Sequence, residues 1–177
     1  MDRFFSHISQ DLYDYWRALS QRRGGIPRRD DLDPAEISSL LPFVFIVEKL
    51  PEDGRYRFRL SGTAIREIMG WENTGRHLDE LLEGEDLRYV TEMFDQVLSQ
   101  KVCLRSVEGL TYADRSRMRV EILRMPFTDK AGPCRFLVGC LSCVERGCGD
   151  GRNAASCMIF GQQVVRIEND LVPREVF

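Results

Sequence analysis

The amino-acid sequence predicts an α+β domain built on one five-stranded antiparallel sheet, with helices on one face and a helical arm at the N-terminus. Three observations lead to this prediction. A helical pattern opens the chain, two strand patterns joined by a turn follow it, and a longer helix separates them from three further strand patterns. We therefore expect an arm over residues 1–42, a core over residues 43–145 and a C-terminal extension containing Cys and Gly over residues 146–177.

The composition is that of a globular domain. Of the 177 residues, 43% are hydrophobic and 30% are charged, a balance that excludes global disorder. The 25 basic and 28 acidic residues leave a net charge of −3, which argues against a nucleic-acid partner. No apolar run reaches the ~20 residues of a membrane span, and residues 1–9 lack the apolar core of a signal peptide. We expect a cytoplasmic protein without a membrane span.

The arm begins with an amphipathic helix. Ser6 is a suitable N-cap, and Gly24 is placed to end the helix after two arginines in its last turn. Helical spacing gives it an apolar stripe that consists of Ile8, Leu12, Tyr15, Trp16 and Leu19.

A second, short helix is predicted over residues 33–41. Asp33 and Glu36 have the spacing of a capping box, and Pro42 ends the helix. Between the two helices, residues 28–31 form either a solvated charged loop or an ion-pair clamp that ties the arm to the core.

The strand patterns follow in order along the core. Residues 43–47 form a continuous apolar run and residues 55–60 alternate between apolar and Arg, which together indicate a hairpin. Helical turns are predicted at residues 63–69 and 77–82, and a longer helix opens at Glu85. The last three strands are predicted at residues 102–111, 117–125 and 135–144. Residues 164–167 either add a strand or lie outside the sheet.

Several short motifs together resemble a known family. They are Tyr15-Trp16-Arg17-Ala18-Leu19, the Pro-x-Arg-x-Asp-x-Asp-Pro pattern of residues 27–34, Leu40-Leu41-Pro42, Arg59-Leu60-Ser61-Gly62-Thr63 and Thr74-Gly75-Arg76. In this set, between residues 11 and 144, the chain resembles a PAS domain. More closely, it resembles the bacterial PAS-like family known from alphaproteobacteria and once catalogued as a domain of unknown function.

The resemblance implies a sensory fold. PAS domains pack helices over a five-stranded antiparallel sheet, enclose a pocket for a small molecule or cofactor, dimerise, and usually relay a conformational change to an output domain. About 30 residues remain outside the resemblance at the C-terminus, too few for an output domain. It therefore implies a stand-alone sensor or adaptor with a possible signalling partner protein, and it does not name the ligand. The sequence contains no Gly-rich phosphate loop, nucleophile elbow or His-based triad, so we also expect a non-enzymatic protein.

The helix-facing side of the predicted sheet supplies the candidate pocket residues, which are Phe45, Phe58, Leu60, Ile65, Met69, Val90, Phe94 and Ile122. Most of them are expected to be core, with a residual cavity among them that could take a small ligand. On the opposite side of the sheet, Arg57, Arg59 and Arg119 are either solvent-facing or a surface for an anionic ligand or a partner.

The sequence requires no cofactor. His77 is the one plausible axial ligand for haem, and a surface or capping role suits it better. No Cys precedes Val102, so a flavin linked to Cys in the helical region is excluded. Cys140, Cys143, Cys148 and Cys157 are interpreted as reduced, inert thiols, with a redox- or metal-responsive protein as the alternative function. Strand alternation places Cys140 and Cys143 on opposite faces, which argues against shared metal ligation.

A homodimer is expected from the arm helix. Its stripe carries two large aromatic side chains, and leaving such side chains exposed costs ~1.5–3 kcal/mol each. The long helix covers one sheet face, and the arginines make the other polar. We therefore expect a second subunit to cover the stripe, with Leu12, Tyr15, Trp16 and Leu19 at the interface.

Overall fold

The computed structural model describes residues 4–111, 117–146 and 158–167. Its helices are α1 (His7–Arg23), α2 (Thr63–Met69) and α3 (Gly84–Gln100). Its strands are β1 (Val44–Lys49), β2 (Tyr56–Ser61), β3 (Cys103–Thr111), β4 (Arg117–Thr128), β5 (Cys134–Arg146) and β6 (Met158–Ile167). Single 3-10 turns lie at Arg29–Asp31, Leu41–Phe43 and Leu78–Glu80.

One antiparallel sheet organises these elements. Its strand order is β2-β1-β5-β4-β3-β6, so the hairpin of β1 and β2 joins the β3–β5 meander through the β1–β5 pair. This confirms the predicted fold class and its five core strands. Residues 164–167, which the sequence left open, belong to β6 and extend the sheet beyond β3.

Helix α1 has the predicted bounds. The side-chain oxygen of Ser6 accepts a hydrogen bond from the backbone N–H of Ile8 at 3.2 Å. Gly24 ends the helix with φ at 73°, a left-handed conformation that glycine adopts without steric cost, and its N–H bonds back to the Ser20 carbonyl.

The predicted helix at residues 33–41 is wrong. Asp33 does accept a hydrogen bond from the Ala35 N–H at 2.9 Å, as a cap would. The following residues form successive turns instead of a regular helix. A segment this short has too few internal hydrogen bonds to offset helix nucleation. Its path is set by Ile37 and Leu40, which are buried beneath α1.

The loop before this segment forms ion pairs, but the close one lies within the arm, whereas the pair that reaches the core, Asp30 with Lys130 at 3.0 Å, is exposed to solvent. Arg23, at the end of α1, donates from its Nε to Asp31 Oδ2 and from a terminal nitrogen to Oδ1, both at 2.6 Å. The guanidinium beside Asp31 lowers the pKa of that carboxyl. The end of α1 is thereby tied to the turn that follows it.

The sheet is covered on both faces, and each face has its own hydrophobic core. The inner core lies between the sheet and α2 and α3 and includes Phe45, Val47, Phe58, Ile65, Phe94, Val97, Leu104, Ile122 and Leu141. The outer core lies between the sheet and α1 and includes Leu12, Trp16, Leu19, Val44, Ile46, Leu123, Met125, Phe127, Val138 and Cys140.

The outer core overturns the argument for a dimer through α1. Leu12 and Trp16 are each 1% exposed and Leu19 is 4% exposed within a single chain. The indole nitrogen of Trp16 donates to the Pro126 carbonyl at 3.1 Å, and the half-buried Tyr15 accepts from the Asp33 N–H at 2.9 Å. The stripe therefore packs on its own sheet. The expectation that the outer face is polar was wrong, because the middle of that face is apolar.

A buried ion pair fixes the start of the arm on the same face. The carboxylate of Glu121 accepts from the backbone N–H groups of Phe5 and Ser6 at 3.0 and 2.9 Å. It also accepts from Arg105 Nε at 2.5 Å. Both side chains are buried, so Arg105 and the backbone N–H groups before α1 together compensate the charge of the Glu121 carboxylate.

Among the described residues, no helix is both long enough and apolar enough to span a membrane.

Candidate functional site

A cavity of about 90 Å³ lies within the inner core, between the sheet and the helical segment that connects β2 to β3. Seven of the eight predicted pocket residues line it, namely Phe45, Phe58, Ile65, Met69, Val90, Phe94 and Ile122. The alternation of the strands and the 3.6-residue period of the helices place these side chains on the enclosed side.

Leu60 is the exception and corrects the prediction. β1 pairs Val47 with Phe58 but Ile46 with Leu60, so Arg59 is an extra residue in β2. Such a β-bulge reverses the alternation beyond it, because each side chain then points to the other face of the sheet. Leu60 consequently packs with the outer core.

The segment after α2 forms one end of the cavity and is held against β2. Gly75 and Arg76 pair with β2 through two backbone hydrogen bonds. The Gly75 N–H donates to the Phe58 carbonyl at 2.8 Å, and the Phe58 N–H donates to the Arg76 carbonyl at 2.9 Å. Thr74 Oγ1 accepts from the Ser61 N–H at 3.1 Å. These bonds place Asn73 at the cavity, where its side chain is one of the lining groups.

Two charged residues that were not predicted also line the cavity, Glu108 of β3 and Arg124 of β4. Arg124 donates to Glu108 Oε1 at 2.9 Å and to the Ser106 hydroxyl at 2.7 Å. Ser106 donates to the same Glu108 oxygen at 2.5 Å. The side chains of Arg124 and Glu108 are 3% and 1% exposed, so this is a buried ion pair with supporting hydrogen bonds.

Tyr89 connects this pair to α3. Its hydroxyl lies 3.4 Å from Glu108 Oε1. Burial, with the nearby Glu108 charge, raises the pKa of Tyr89 to about 12, so the hydroxyl stays protonated and donates. The cavity thus has a mostly apolar lining, with the polar group of Glu108 and Arg124 joined to α3 through Tyr89.

Two buried polar atoms of the lining residues have no hydrogen-bond partner within the described part of the chain. They are Arg124 Nε and Asn73 Oδ1. The Asn73 amide nitrogen has one partner, the Ser61 hydroxyl at 3.4 Å. A buried donor or acceptor without a partner costs ~1–3 kcal/mol, so a hydrogen bond from water or a ligand would stabilise each of these atoms.

The candidate surface arginines do not form one anion site. Arg57 donates to the Gly75 carbonyl at 3.1 Å, and Arg59 is paired with Glu48 at 2.5 Å. Arg119 is exposed on β4, with β5 and β1 between it and the arginines of β2. Neighbouring strands lie ~4.8 Å apart, so the separation is too large for one small anion to contact both groups.

The described cysteines occupy separate environments. Cys140 is buried in the outer core, 3.6 Å from the Ser9 hydroxyl, whereas Cys143 packs against the inner core. Burial raises the pKa of the Cys140 thiol to about 12 and that of Cys134 to about 11. Cys140 and Cys143 therefore face away from each other, as alternation indicated. The candidate ligands Cys148 and Cys157 lie outside the described residues.

His77 is placed as a turn-forming residue. Its Nδ1 lies 3.0 Å from Glu80 Oε1, and its backbone N–H donates to the same carboxylate. Among the described residues it does not belong to the cavity lining. This position suits the capping interpretation of His77.

Comparison with known proteins identifies one family. A family model described as PAS domain matches residues 4–142. No curated protein matches the sequence. The VqmA–ligand–DNA complex of Vibrio cholerae is similar at 16% identity and a TM-score of 0.49, over 63% of this chain and 51% of that chain. VqmA bound to DPO is similar at 15% identity and a TM-score of 0.48, over 67% of this chain and 58% of that chain. The light-state LOV domain of Aureochrome1 is similar at 21% identity and a TM-score of 0.43, over 64% of this chain and 89% of that chain.

Proposed function

The chain belongs to the PAS domain family, and we propose that it is a non-enzymatic sensory domain that binds a small molecule in its core cavity. The observation that carries this proposal is the cavity of about 90 Å³ between sheet and helices. Its lining is mostly apolar but includes the buried pair Glu108 and Arg124, a combination typical of small-molecule sites.

The packing of the cavity supports a route for the signal. Tyr89 of α3 contacts Glu108, so occupancy of the cavity acts on both α3 and the β3–β4 pair. The opposite face of β4 carries Leu123 and Met125, which pack against α1. A ligand that shifts β4 therefore changes the surface on which the arm lies, and the arm is the element that we expect to contact a signalling partner.

The test compares two substitutions at one cavity position. Val90→Phe fills part of the cavity and Val90→Ala enlarges it. Native mass spectrometry of the purified protein should show a retained small molecule with wild type and with Val90→Ala, and loss of that mass with Val90→Phe. Circular dichroism shows whether the Phe variant is folded. The same retained mass in a folded Val90→Phe protein would contradict binding in this cavity.

Self-association stays a prediction and needs a surface other than the apolar stripe of α1. We expect the signalling partner of this chain to be a protein rather than a nucleic acid, because the chain has a net charge of −3. Light scattering at micromolar concentration measures the subunit number. A monomer would contradict the homodimer and would leave the cavity proposal intact.

A further inference from the structure

The cavity has a polar requirement that narrows the class of its ligand. Arg124 Nε is a donor and Asn73 Oδ1 is an acceptor, and both are buried without partners in the described residues. Their residues line the same cavity, with Asn73 4% exposed. We propose that the cavity binds a small uncharged molecule that accepts a hydrogen bond from Arg124 and donates one to Asn73. This inference rests on the proposed function and names the chemical class as small neutral amides.

The charges of the lining residues exclude ionic ligands. Within the described part of the chain, the ionisable side chains that line the cavity are Glu108 and Arg124, and they neutralise each other at 2.9 Å. An anion would meet the buried Glu108 carboxylate, and a cation would meet the Arg124 guanidinium. Either would have to lose its hydration without gaining a counter-ion, which is costly in a mostly apolar site. A neutral molecule with an oriented dipole avoids that cost.

The volume limits the size of the ligand. A dry cavity of ~150 Å³ holds benzene, which has six non-hydrogen atoms. By proportion, about 90 Å³ holds ~four non-hydrogen atoms. The same volume also holds about three water molecules at ~30 Å³ each, so water is the competing occupant. A ligand that replaces water must supply both hydrogen bonds, because otherwise Arg124 or Asn73 loses its partner.

The experiment uses four planar probes of nearly equal shape, each with four non-hydrogen atoms. Acetamide is neutral and has an acceptor and a donor; acetone is neutral and has an acceptor alone; acetate is an anion; acetamidinium is a cation. Each is titrated into the intact protein while NMR records the methyl resonances of Ile65 and Ile122, which line the cavity. We expect acetamide to bind at least about tenfold more tightly than acetone, which corresponds to ~1.4 kcal/mol. We expect acetate and acetamidinium to leave these resonances unchanged.

Two variants assign the preference to the named atoms. Asn73→Leu removes the acceptor, and acetamide and acetone should then bind within about twofold of each other. The double variant Glu108→Leu/Arg124→Met removes the inner ion pair as a unit, which avoids a lone buried charge, and should abolish the preference for amides as well. The matched control is Arg105→Met/Glu121→Leu, which removes the second buried pair of the same two strands on the opposite face. That control should keep the tenfold preference.

Each outcome bears on the proposal. Equal binding of acetone and acetamide to wild type, cavity shifts with either ion, or an unchanged preference in Asn73→Leu overturns the assigned ligand class. If no probe shifts the two methyl resonances while native mass spectrometry still finds a retained molecule, the class is wrong and the proposed function stands. If no probe binds and no molecule is retained, the cavity holds water alone and both proposals fail.

Discussion

Replacing Trp16 by Ala tests whether α1 is part of the folded domain. Trp16 is 1% exposed and contacts the middle of the outer sheet face. Its indole nitrogen donates to the Pro126 carbonyl at 3.1 Å. The substitution therefore removes a large buried side chain, leaves a cavity, and leaves a buried carbonyl with one partner fewer.

The expected magnitude follows from these losses. Truncation of a buried aromatic side chain to Ala costs about 3–5 kcal/mol, and the loss of the hydrogen bond belongs within that range. Trp16→Phe keeps most of the apolar contact and should cost about 1–2 kcal/mol. The free energy of unfolding of a domain is about 5–15 kcal/mol, so Trp16→Ala removes a large share of it.

Urea denaturation followed by far-ultraviolet circular dichroism measures these differences. Asp11→Ala is the matched control, because Asp11 is exposed on the same helix, and its effect should stay within about 0.5 kcal/mol. The double variant Leu12→Asp/Trp16→Asp should be unfolded, since it buries two carboxylates in the outer core. If Trp16→Ala matched Asp11→Ala, or if the double variant kept a folded core, α1 would not be packed on its own sheet.

Three further substitutions or modifications test other parts of the structure. Asp95→Asn should destabilise the protein by about 1 kcal/mol at neutral pH, because Asp95 accepts a hydrogen bond from Lys49 at 2.5 Å. Urea denaturation of variant and wild type measures this difference. Burial raises the pKa of Asp95, but the hydrogen bonds from Lys49 and a tyrosine outweigh burial and lower that pKa below its ordinary value of 3.8. The difference in the free energy of unfolding between variant and wild type is therefore fully present well above pH 3.8. It is lost as the pH falls from 3.8 through the lowered pKa. Gly62→Ala should cost about 1–3 kcal/mol in thermal or urea unfolding, because a Cβ there would lie 2.2 Å from a backbone oxygen, whereas Gly25→Ala, with open space, should be neutral. Cys140, with its pKa raised to about 12 by burial, should react with iodoacetamide only on unfolding; rapid modification of native protein, seen by peptide mass spectrometry, would contradict its burial.

The strands and helices could be predicted because their periodicity is local. The alternation of residues 55–60 and the helical spacing in α1 and α3 depend on neighbours a few residues apart. The bulge at Arg59 could not be predicted in the same way. It depends on how β2 pairs with β1, and it moves Leu60 to the other face without any change in the residue pattern.

The outer core was not predicted because the polar character of the outer face was inferred from arginines that alternate near the ends of the strands. Arg117 and Arg119 lie at the start of β4, where the outer face is exposed, and Leu123, Met125 and Phe127 continue the same face toward the other end. A strand buried on both faces shows a nearly continuous apolar run, which residues 43–47 and 136–144 contain. That signal predicts a cover on the outer side and makes a second subunit unnecessary.

The polar lining of the cavity left a weaker signal. Arg124 continues the alternation of Val120 and Ile122, and Glu108 stands between Ser106 and Leu110 on the corresponding face of β3. Sequence reasoning places charged residues in solvent by default, since buried ones are rare unless paired. The pairing of Glu108 with Arg124 depends on the register of two strands, and register is a property of the folded sheet.

The β3–β4 pair carries one buried Arg–Glu pair on each of its faces. Arg124 and Glu108 face the cavity, whereas Arg105 and Glu121 face the arm. Arg124 and Glu121 are three residues apart on one strand, so a displacement of β4 that repositions one also repositions the other. Glu121 accepts from the first backbone N–H groups before α1, and it therefore connects the state of β4 to the attachment of the arm. A buried carboxylate without these donors is strongly destabilised, so the attachment of the arm depends on the position of Glu121 on β4.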